Sequence, residues 1–303
     1  MVKKFFYYLL HKPSVLGVAV LLRLSPIIPD KLYLKLMFRL QMGYRMDFKA
    51  PKTFNEKLQW LKLYNRNPEY TRIVDKLEVK EYVATIIGDE YVIPTLGVWS
   101  QPEDIDFESL PEMFVLKTTH GGGSNGVIVC RDKSKLDKGK IASSLRESLQ
   151  QNIYRAFKEW PYKGVKPRII AEQYMEDSET KELRDYKFFC FNGRVEYYKV
   201  DFDRFVGHKA NYFDRSGLLM EFGEEVCPPN YDKRIEMPSN LSDMMNIAEK
   251  LSQNIPFVRV DLYSVNQRVY FGEMTFFPAS GFGRFTEQQW DRKLGDLISL
   301  ELK

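Results

Sequence analysis

Residues 114–130, FVLKTTHGGGSNGVIVC, limit the possible folds more than any other stretch of this chain. Phe114 to Lys117 reads as a strand. Val127 to Cys130 is β-branched and apolar and reads the same way, so the glycines cap a β-hairpin. Bare backbone N–H groups in such a loop can approach an anion closely. A P-loop is excluded, because it needs a Gly-Lys-Ser/Thr end that opens a helix, and here Gly126 is followed by Val127 and Ile128. The kinase hairpin is excluded as well, because its lysine follows the loop, whereas Lys117 precedes this one and no H-R-D or D-F-G occurs. What remains is a hairpin that holds phosphate in some other way, or a flexible turn beside an exposed lysine.

A chain of 303 residues can bury a sizeable core and has room for two or three subdomains. Its 45 basic and 41 acidic residues are too nearly balanced to suggest nucleic acid, which calls for a concentrated basic patch. Cys130, Cys190 and Cys227 are odd in number and scattered, which points to a reducing cytoplasm rather than a disulfide framework. His11, His120 and His208 lie too far apart in sequence for a zinc site. The N-terminal run MVKKFFYYLLHKPSVLGVAVLLRLSPIIP is interrupted by Lys12, Pro13 and Arg23, so it does not read as a membrane span. Arg23 to Pro26 offers no small-residue cleavage site for a signal peptide. Two expectations follow for it: a pair of helices buried on the main domain, or an interfacial anchor. In the anchor, Lys3 and Lys4 would meet anionic lipid and Phe5, Phe6, Tyr7 and Tyr8 would sit at headgroup level.

Thr53-Phe54-Asn55-Glu56 forms a capping box that opens a helix carrying Leu58, Leu61 and Tyr64 on one face. Asn67-Pro68 opens a second helix, expected to run past Ile73, Lys76 and Val83 to Gly88. Tyr91 to Trp99 reads as a strand. Ile141, Leu145, Leu149, Ile153 and Phe157 recur every four residues and predict one amphipathic helix. Arg168 to Gln173 reads as a strand, and Lys187 to Phe191 and Arg194 to Val200 as a hairpin turning at Asn192-Gly193. The polar stretch around Pro228-Pro229 reads as a long loop, and Met244, Ile247, Ala248 and Leu251 mark a helix. Two strands close the chain, near Val258 to Tyr263 and Val269 to Thr275.

Those last strands carry acids where apolar residues are expected. Asp261 lies in FVRVDLY and Glu273 in VYFGEMTFF, and a hairpin centred near Gln267 sets them opposite each other. Strand alternation sends Arg259, Asp261, Glu273 and Thr275 to one face. Two facing carboxylates repel unless something positive lies between them. Magnesium, which takes a few carboxylates plus phosphate oxygens, suits that place, and a solvated surface hairpin is the plainer alternative.

A lysine, the glycine hairpin, IIAEQYM and RVDLY…GEMTFFPASG, in that order, resemble the ATP-grasp superfamily. The resemblance is closest to its TupA-like branch, found among bacterial surface-polysaccharide biosynthesis proteins, on KAPKTFNEKLQWLKLY, VDKLEVKEYV, MFVLKTTHGGGSNG and RDYKFFCFNG. It implies an α+β ATP-grasp fold, two α+β subdomains holding ATP between them behind an N-terminal helical segment. The divisions expected are 1–50 for that segment, 51–112 for an N-terminal subdomain, 113–175 for the glycine-loop lid and 176–303 for the catalytic subdomain with the metal site. Residue by residue, the resemblance makes Lys76 and Lys117 the phosphate-binding lysines, and Gly121, Gly122, Gly123 and Ser124 the mobile loop over the phosphates. Glu172 falls on the strand at adenine, with Gln173, Tyr174 and Met175 offering backbone hydrogen bonds to the ring, and Asp185 is the candidate for the ribose. Lys187 reaches phosphate or substrate, Asp261 and Glu273 match magnesium ligands, and Arg259 stands beside the transferring phosphoryl group. Thr275 stands where asparagine is usual, which leaves the number of magnesium ions open.

The chemistry so implied is ATP-dependent carboxylate–amine ligation through an acylphosphate, with ADP and phosphate released. The TupA-like branch suggests a uronic acid or acidic glycan as the carboxylate and an amino acid as the amine, in surface or capsular polysaccharide biosynthesis. Arg284, His208 and Lys209 are candidate contacts for such acids. Three other readings stand beside this one. They are a sugar kinase of the same fold, a glycosyltransferase using the D-x-D of Asp201 and Asp203, and a non-catalytic ATP-binding module, which would lack the metal carboxylates.

Overall fold

The computed structural model describes residues 13–123, 126–178, 183–203 and 207–300. Ser124 of the glycine loop and the N-terminal Lys3 to Tyr8 lie outside the described residues. Two antiparallel sheets organise the rest. The first has the order β1-β4-β2-β3, built from β1 (Thr95–Trp99), β2 (Phe114–Thr118), β3 (Ile128–Cys130) and β4 (Ile169–Gln173). The second has the order β10-β9-β5-β6-β7-β8, built from β5 (Asp185–Phe191), β6 (Arg194–Phe202), β7 (Lys209–Asp214), β8 (Leu219–Met220), β9 (Phe257–Val265) and β10 (Arg268–Thr275). Two sheets with helices packed on them make the α+β architecture expected of the sequence.

Each sheet has its own core. Phe114, Leu116, Ile169 and Ala171 of the first sheet pack with Ile105, Phe107, Leu110 and with Ile141 and Leu145 from a covering helix. The larger core joins the second sheet to the N-terminal helices α1 (Pro13–Leu24), α2 (Asp30–Met42), α3 (Phe54–Tyr64), α4 (Glu69–Val74) and α5 (Glu78–Ile87). Phe54 of α3 meets Phe191, Phe257 and Phe285 at ring distances of 6.3, 4.8 and 6.1 Å. The opposite face of the sheet takes a helix at Leu241–Leu251, where Cys190 Sγ lies 3.8 Å from the Ala248 carbonyl.

The capping box at Thr53 forms as expected. Thr53 Oγ1 accepts from Glu56 N at 3.2 Å, and Glu56 Oε2 accepts from Thr53 N at 3.0 Å. The expected helix from Pro68 to Gly88 is instead two helices, α4 and α5, separated at residues 75–77. Asp75 explains the break: it is extended (φ −77°, ψ 116°), and its Oδ1 accepts from Leu77 N at 2.9 Å, offering the backbone an alternative to the helix. The expected helix over 141–157 also divides, into α6 (Lys138–Leu149) and α7 (Ile153–Phe157). Asn152 starts the second piece by accepting Arg155 N at 2.7 Å. The stretch read as loop contains β7 and β8, whose Ala210, Asn211, Tyr212 and Phe213 are all buried. Its polar composition hid the strand.

After β10 the chain turns through Ala279, Ser280 and Gly281, all with positive φ (46°, 54° and 65°). Non-glycine residues pay for that backbone, so something must hold it. Gln59 Nε2 donates to Gly281 O at 2.6 Å, and the fully buried Lys62 donates to Ser280 O at 2.7 Å and Phe157 O at 3.0 Å. A Cβ at Gly281 would meet Gln59 Nε2 at 2.5 Å. Burial pushes the Lys62 ammonium down to about 7, with Glu159 pulling the other way. Helix α3 thereby fixes the end of β10, the strand that carries Glu273.

Candidate active site

Strand register draws one row of side chains across the second sheet. Glu273 pairs with Asp261, Asp261 with Lys187, Lys187 with Lys199, and Lys199 with Tyr212. Neighbours in register share a face, so the row is a continuous polar line across the sheet. The acid pair does come opposite, but by a device that the sequence reading missed. The turn lies at Asn266 and Gln267 (φ 49° and 60°), and pairing runs regularly from Arg268↔Val265 to Phe271↔Leu262. Continued unchanged, it would set Glu273 against Val260 on the wrong face. A bulge at Gly272 shifts the register by one and brings Glu273 opposite Asp261. Glycine is needed there, because an added Cβ would lie 2.9 Å from the Asp261 carbonyl oxygen.

Arg259 lies between the two acids. Its Nε donates to Asp261 Oδ1 at 2.6 Å, and its Nη2 donates to Asp261 Oδ2 at 2.7 Å, Glu273 Oε1 at 3.0 Å and Thr275 Oγ1 at 3.1 Å. Thr275 Oγ1 in turn donates to Glu273 Oε1 at 2.9 Å and orients it. Burial alone would push the Glu273 carboxyl upward, but Lys76 and Arg259 outweigh it and hold it at about 2. Burial opposes the charge on Arg259, and Asp261 overrides that, so the guanidinium is held more firmly charged than usual. Further along the row, Lys187 Nζ lies 2.6 Å from Asp185, 3.2 Å from Asp201 and 3.6 Å from Asp261. Lys199 Nζ lies 2.8 Å from Glu224, which also accepts from Tyr212 OH at 2.9 Å.

The glycine hairpin faces this row through Lys76. The break between α4 and α5 leaves Lys76 outside any helix, its N–H donating to Thr119 O at 2.9 Å. Its Nζ donates to Gly121 O at 2.5 Å and lies 3.8 Å from Glu273 Oε2, so one side chain joins the loop to the acid pair. Lys117, one residue before the end of β2, has its Nζ 2.5 Å from Glu172, and Lys80 reaches the other oxygen of the same carboxylate at 2.7 Å. Burial would raise the Glu172 carboxyl, and Lys117 and Lys80 together bring it below its usual range. Gly121 is buried at the root of the loop, while Gly122 and Gly123 are exposed, Gly123 at φ +66°.

Other residues singled out in the sequence are more dispersed. Asp185 stays with the row, on the face of Lys187 and as its ion partner. Gln173 N–H is committed to Pro94 O at 3.1 Å, and Tyr174 and Met175 follow β4 in irregular backbone, Tyr174 OH donating to Glu176. Arg284 clamps the end of α2, donating through Nη2 to Gln41 O at 2.6 Å. Asp201 and Asp203 have separate partners: Asp201 faces Lys187 and His208, whereas Asp203 leaves the strand at φ +54° and sits 3.5 Å from Lys233. The sequence reading missed Lys80, Lys199 and Glu224. Lys80 had a signal, being one helical turn beyond Lys76; Glu224 had none, since it lies in the segment read as loop.

Five carboxylates on this face (Asp185, Asp201, Glu224, Asp261 and Glu273) meet four cations (Lys76, Lys187, Lys199 and Arg259). Among the described residues no three His, Cys, Asp or Glu side chains gather as a complete metal cage. Two carboxylates beside a hydroxyl are still the donor set of a hard cation that completes its shell with phosphate oxygens and water. The residues fit magnesium, which Asp261, Glu273 and Thr275 would hold.

The family model described as TupA-like ATPgrasp matches residues 56–299. No curated protein matches the sequence. Among solved structures the chain is similar to the D-alanine–D-alanine ligase of Helicobacter pylori, at 12% identity and a TM-score of 0.43, covering 81% of this chain and 69% of that one. It is also similar to the Bacillus anthracis D-alanine–D-alanine ligase complexed with ATP, at 15% identity and a TM-score of 0.41, covering 75% and 63%. D-cycloserine synthetase is similar at 14% identity and a TM-score of 0.43, covering 88% and 78%. The chain thus spans about two thirds of the length of the D-alanine ligases. At such identities and scores these likenesses do not bear on chemistry.

Proposed function

The chain belongs to the TupA-like ATP-grasp family, and from that premise we propose that it uses ATP to join the carboxylate of a uronic acid or acidic glycan to the amine of an amino acid. Carboxylate–amine ligation with release of ADP is the activity that membership brings. The observation that carries the reading in this molecule is Lys76, whose Nζ touches both Gly121 of the loop and, at 3.8 Å, Glu273 of the acid pair. Phosphates held under the loop therefore lie against the acids. Lys76 and Lys117 offer point charges to those phosphates, and Arg259 offers a planar guanidinium to the transferring phosphoryl group. When bound, magnesium would supply further positive charge at the phosphate oxygens. Catalysis of this kind is mostly positioning and charge stabilisation, which the buried row provides. Lys187 and Lys199, beyond the acid pair, are cations for an acidic acceptor, and the family's occurrence among surface-polysaccharide biosynthesis proteins favours a glycan acid.

The test follows oxygen. With uronic acids and amino acids screened in pairs, ADP release should rise sharply only when both are present. Oxygen-18 placed in the carboxylate should then appear in the released phosphate. A kinase would need one acceptor and would keep the phosphoryl group on its product. Label-free phosphate from an active enzyme would rule out the acylphosphate.

We further propose that the protein works at an anionic membrane surface. No helix among the described residues is long and apolar enough to cross a membrane. Helix α2 buries Tyr33, Leu34, Met37 and Phe38, but α1, α2 and the turn between them expose Val15, Val20, Leu24, Ile27, Leu32 and Leu36. Lys31, Lys35 and Arg39 run beside Leu32 and Leu36, also exposed. Between residues 13 and 45 there are five basic side chains and one acid, Asp30, which already pairs with Arg66 and Lys158. Adjacent apolar and cationic groups on the exposed side of α2 suit anionic lipid. Sedimentation with phosphatidylserine vesicles should carry the protein down at low salt, and Leu32→Asp with Leu36→Asp should release it. No sedimentation of the wild type would remove the proposal.

A further inference from the structure

An amide ligase receives its nucleophile as an ammonium ion, which attacks only after losing a proton. We propose that His208, oriented by Asp201, takes that proton and that the pair forms the binding site of the incoming amine; this rests on the ligase reading above. Asp201 Oδ2 lies 3.2 Å from Lys187 Nζ and 3.3 Å from His208 Nε2, and Lys187 reaches Asp261 at 3.6 Å. Contacts therefore run unbroken from the acid pair, through Lys187 and Asp201, to His208. Exposure is graded along that line: the Asp201 side chain is 4% exposed and the His208 side chain 43%. The buried member is fixed and the open member can meet a diffusing substrate.

An imidazole whose Nε2 faces a carboxylate keeps its proton there and its lone pair on Nδ1. The Asp201 carboxylate also offers negative charge to an ammonium group. Burial would raise the Asp201 carboxyl, but Lys199, Lys187 and His208 outweigh it, so it stays ionised. Among the described residues, the charged groups that contact the dyad include Lys199 of β6 and Lys187 of β5, with Lys209 next in sequence. None of the phosphate-side cations is needed for this task, so the amine and ATP have separate machinery. In the step itself, the ammonium gives one proton to His208 Nδ1. The freed nitrogen lone pair forms the C–N bond, the C–O bond to phosphate breaks, and phosphate leaves with that electron pair and the second N–H proton.

Hydroxylamine separates this role from the rest of catalysis, because it is largely unprotonated near neutral pH and needs no base. Full-length wild type and His208→Gln would be compared on glucuronate and galacturonate, with hydroxylamine and with each common amino acid. The variant should keep hydroxamate formation within about twofold and lose amide formation by about a hundredfold, the usual worth of a general base. Asp201→Asn should show the same split more weakly. Equal loss with both kinds of nucleophile, or no loss with either, would overturn the role of His208. If wild type itself forms neither hydroxamate nor amide, the ligase reading falls first and this one with it.

Discussion

Asp261→Asn and Glu273→Gln should each lower ATP-dependent turnover by about two to three orders of magnitude, the usual cost of removing one preorganised charge contact from an active site. Both substitutions keep the shape of the side chain and remove its charge, so the loss should come from chemistry more than from folding. Their effects on stability should nevertheless differ. Asp261 is 4% exposed and holds Arg259 through two bonds of 2.6 and 2.7 Å, whereas Glu273 is 36% exposed and holds it through one of 3.0 Å. Neutralising the buried partner leaves Arg259 short of compensation, and breaking such a pair costs about 3–5 kcal/mol. Asp261→Asn should therefore melt clearly below wild type, with Glu273→Gln between the two. ADP release and thermal denaturation on the same preparations would check both halves. Full turnover in both variants would exclude the acid pair from the reaction.

Much of this site was legible because strands obey a period of two and hairpins pair in order. Arg259, Asp261, Glu273 and Thr275 could be put on one face from alternation together with a hairpin centred near Gln267, and the structure has them in mutual contact. The bulge that makes the pairing true was not legible, since a glycine in a strand marks a bulge only once the register is known. The same limit explains the helices. Hydrophobic spacing continued through Asp75 and through residues 150–152, but side-chain caps there outcompete helix propagation, and periodicity carries no account of that competition. The second sheet's far edge was hidden for another reason. Strand β7 contains Lys209, Asn211 and Asp214, polar residues that read as loop. Asn211 is buried because it exchanges hydrogen bonds with Asn230, at 2.8 and 2.9 Å, a partner that no local window reveals.

Lys117→Met should weaken ATP binding by about 10- to 100-fold, the worth of one hydrogen bond to a charged group, and leave turnover lower still. The fold should survive, for a reason visible in the pairing. Glu172 is buried and would be costly to leave alone, but it has two lysines, and Lys80 at 2.7 Å remains when Lys117 is removed. Methionine also keeps most of the length of the Lys117 aliphatic stem. Lys80→Met is the informative control. It removes the same kind of charge from the same carboxylate, but Lys80 is tied to the Ile93 carbonyl at 2.6 Å and belongs to α5, whereas Lys117 lies on the strand that enters the glycine loop. Its effect on ATP should be several times smaller. Replacing both lysines strands Glu172 and should lower stability by about 3–5 kcal/mol, more than the two single changes together. Calorimetric titration with ATP and thermal melts of the three variants would resolve the pattern. Equal losses of affinity in the two single variants would mean that Glu172, rather than Lys117, governs nucleotide binding at the loop.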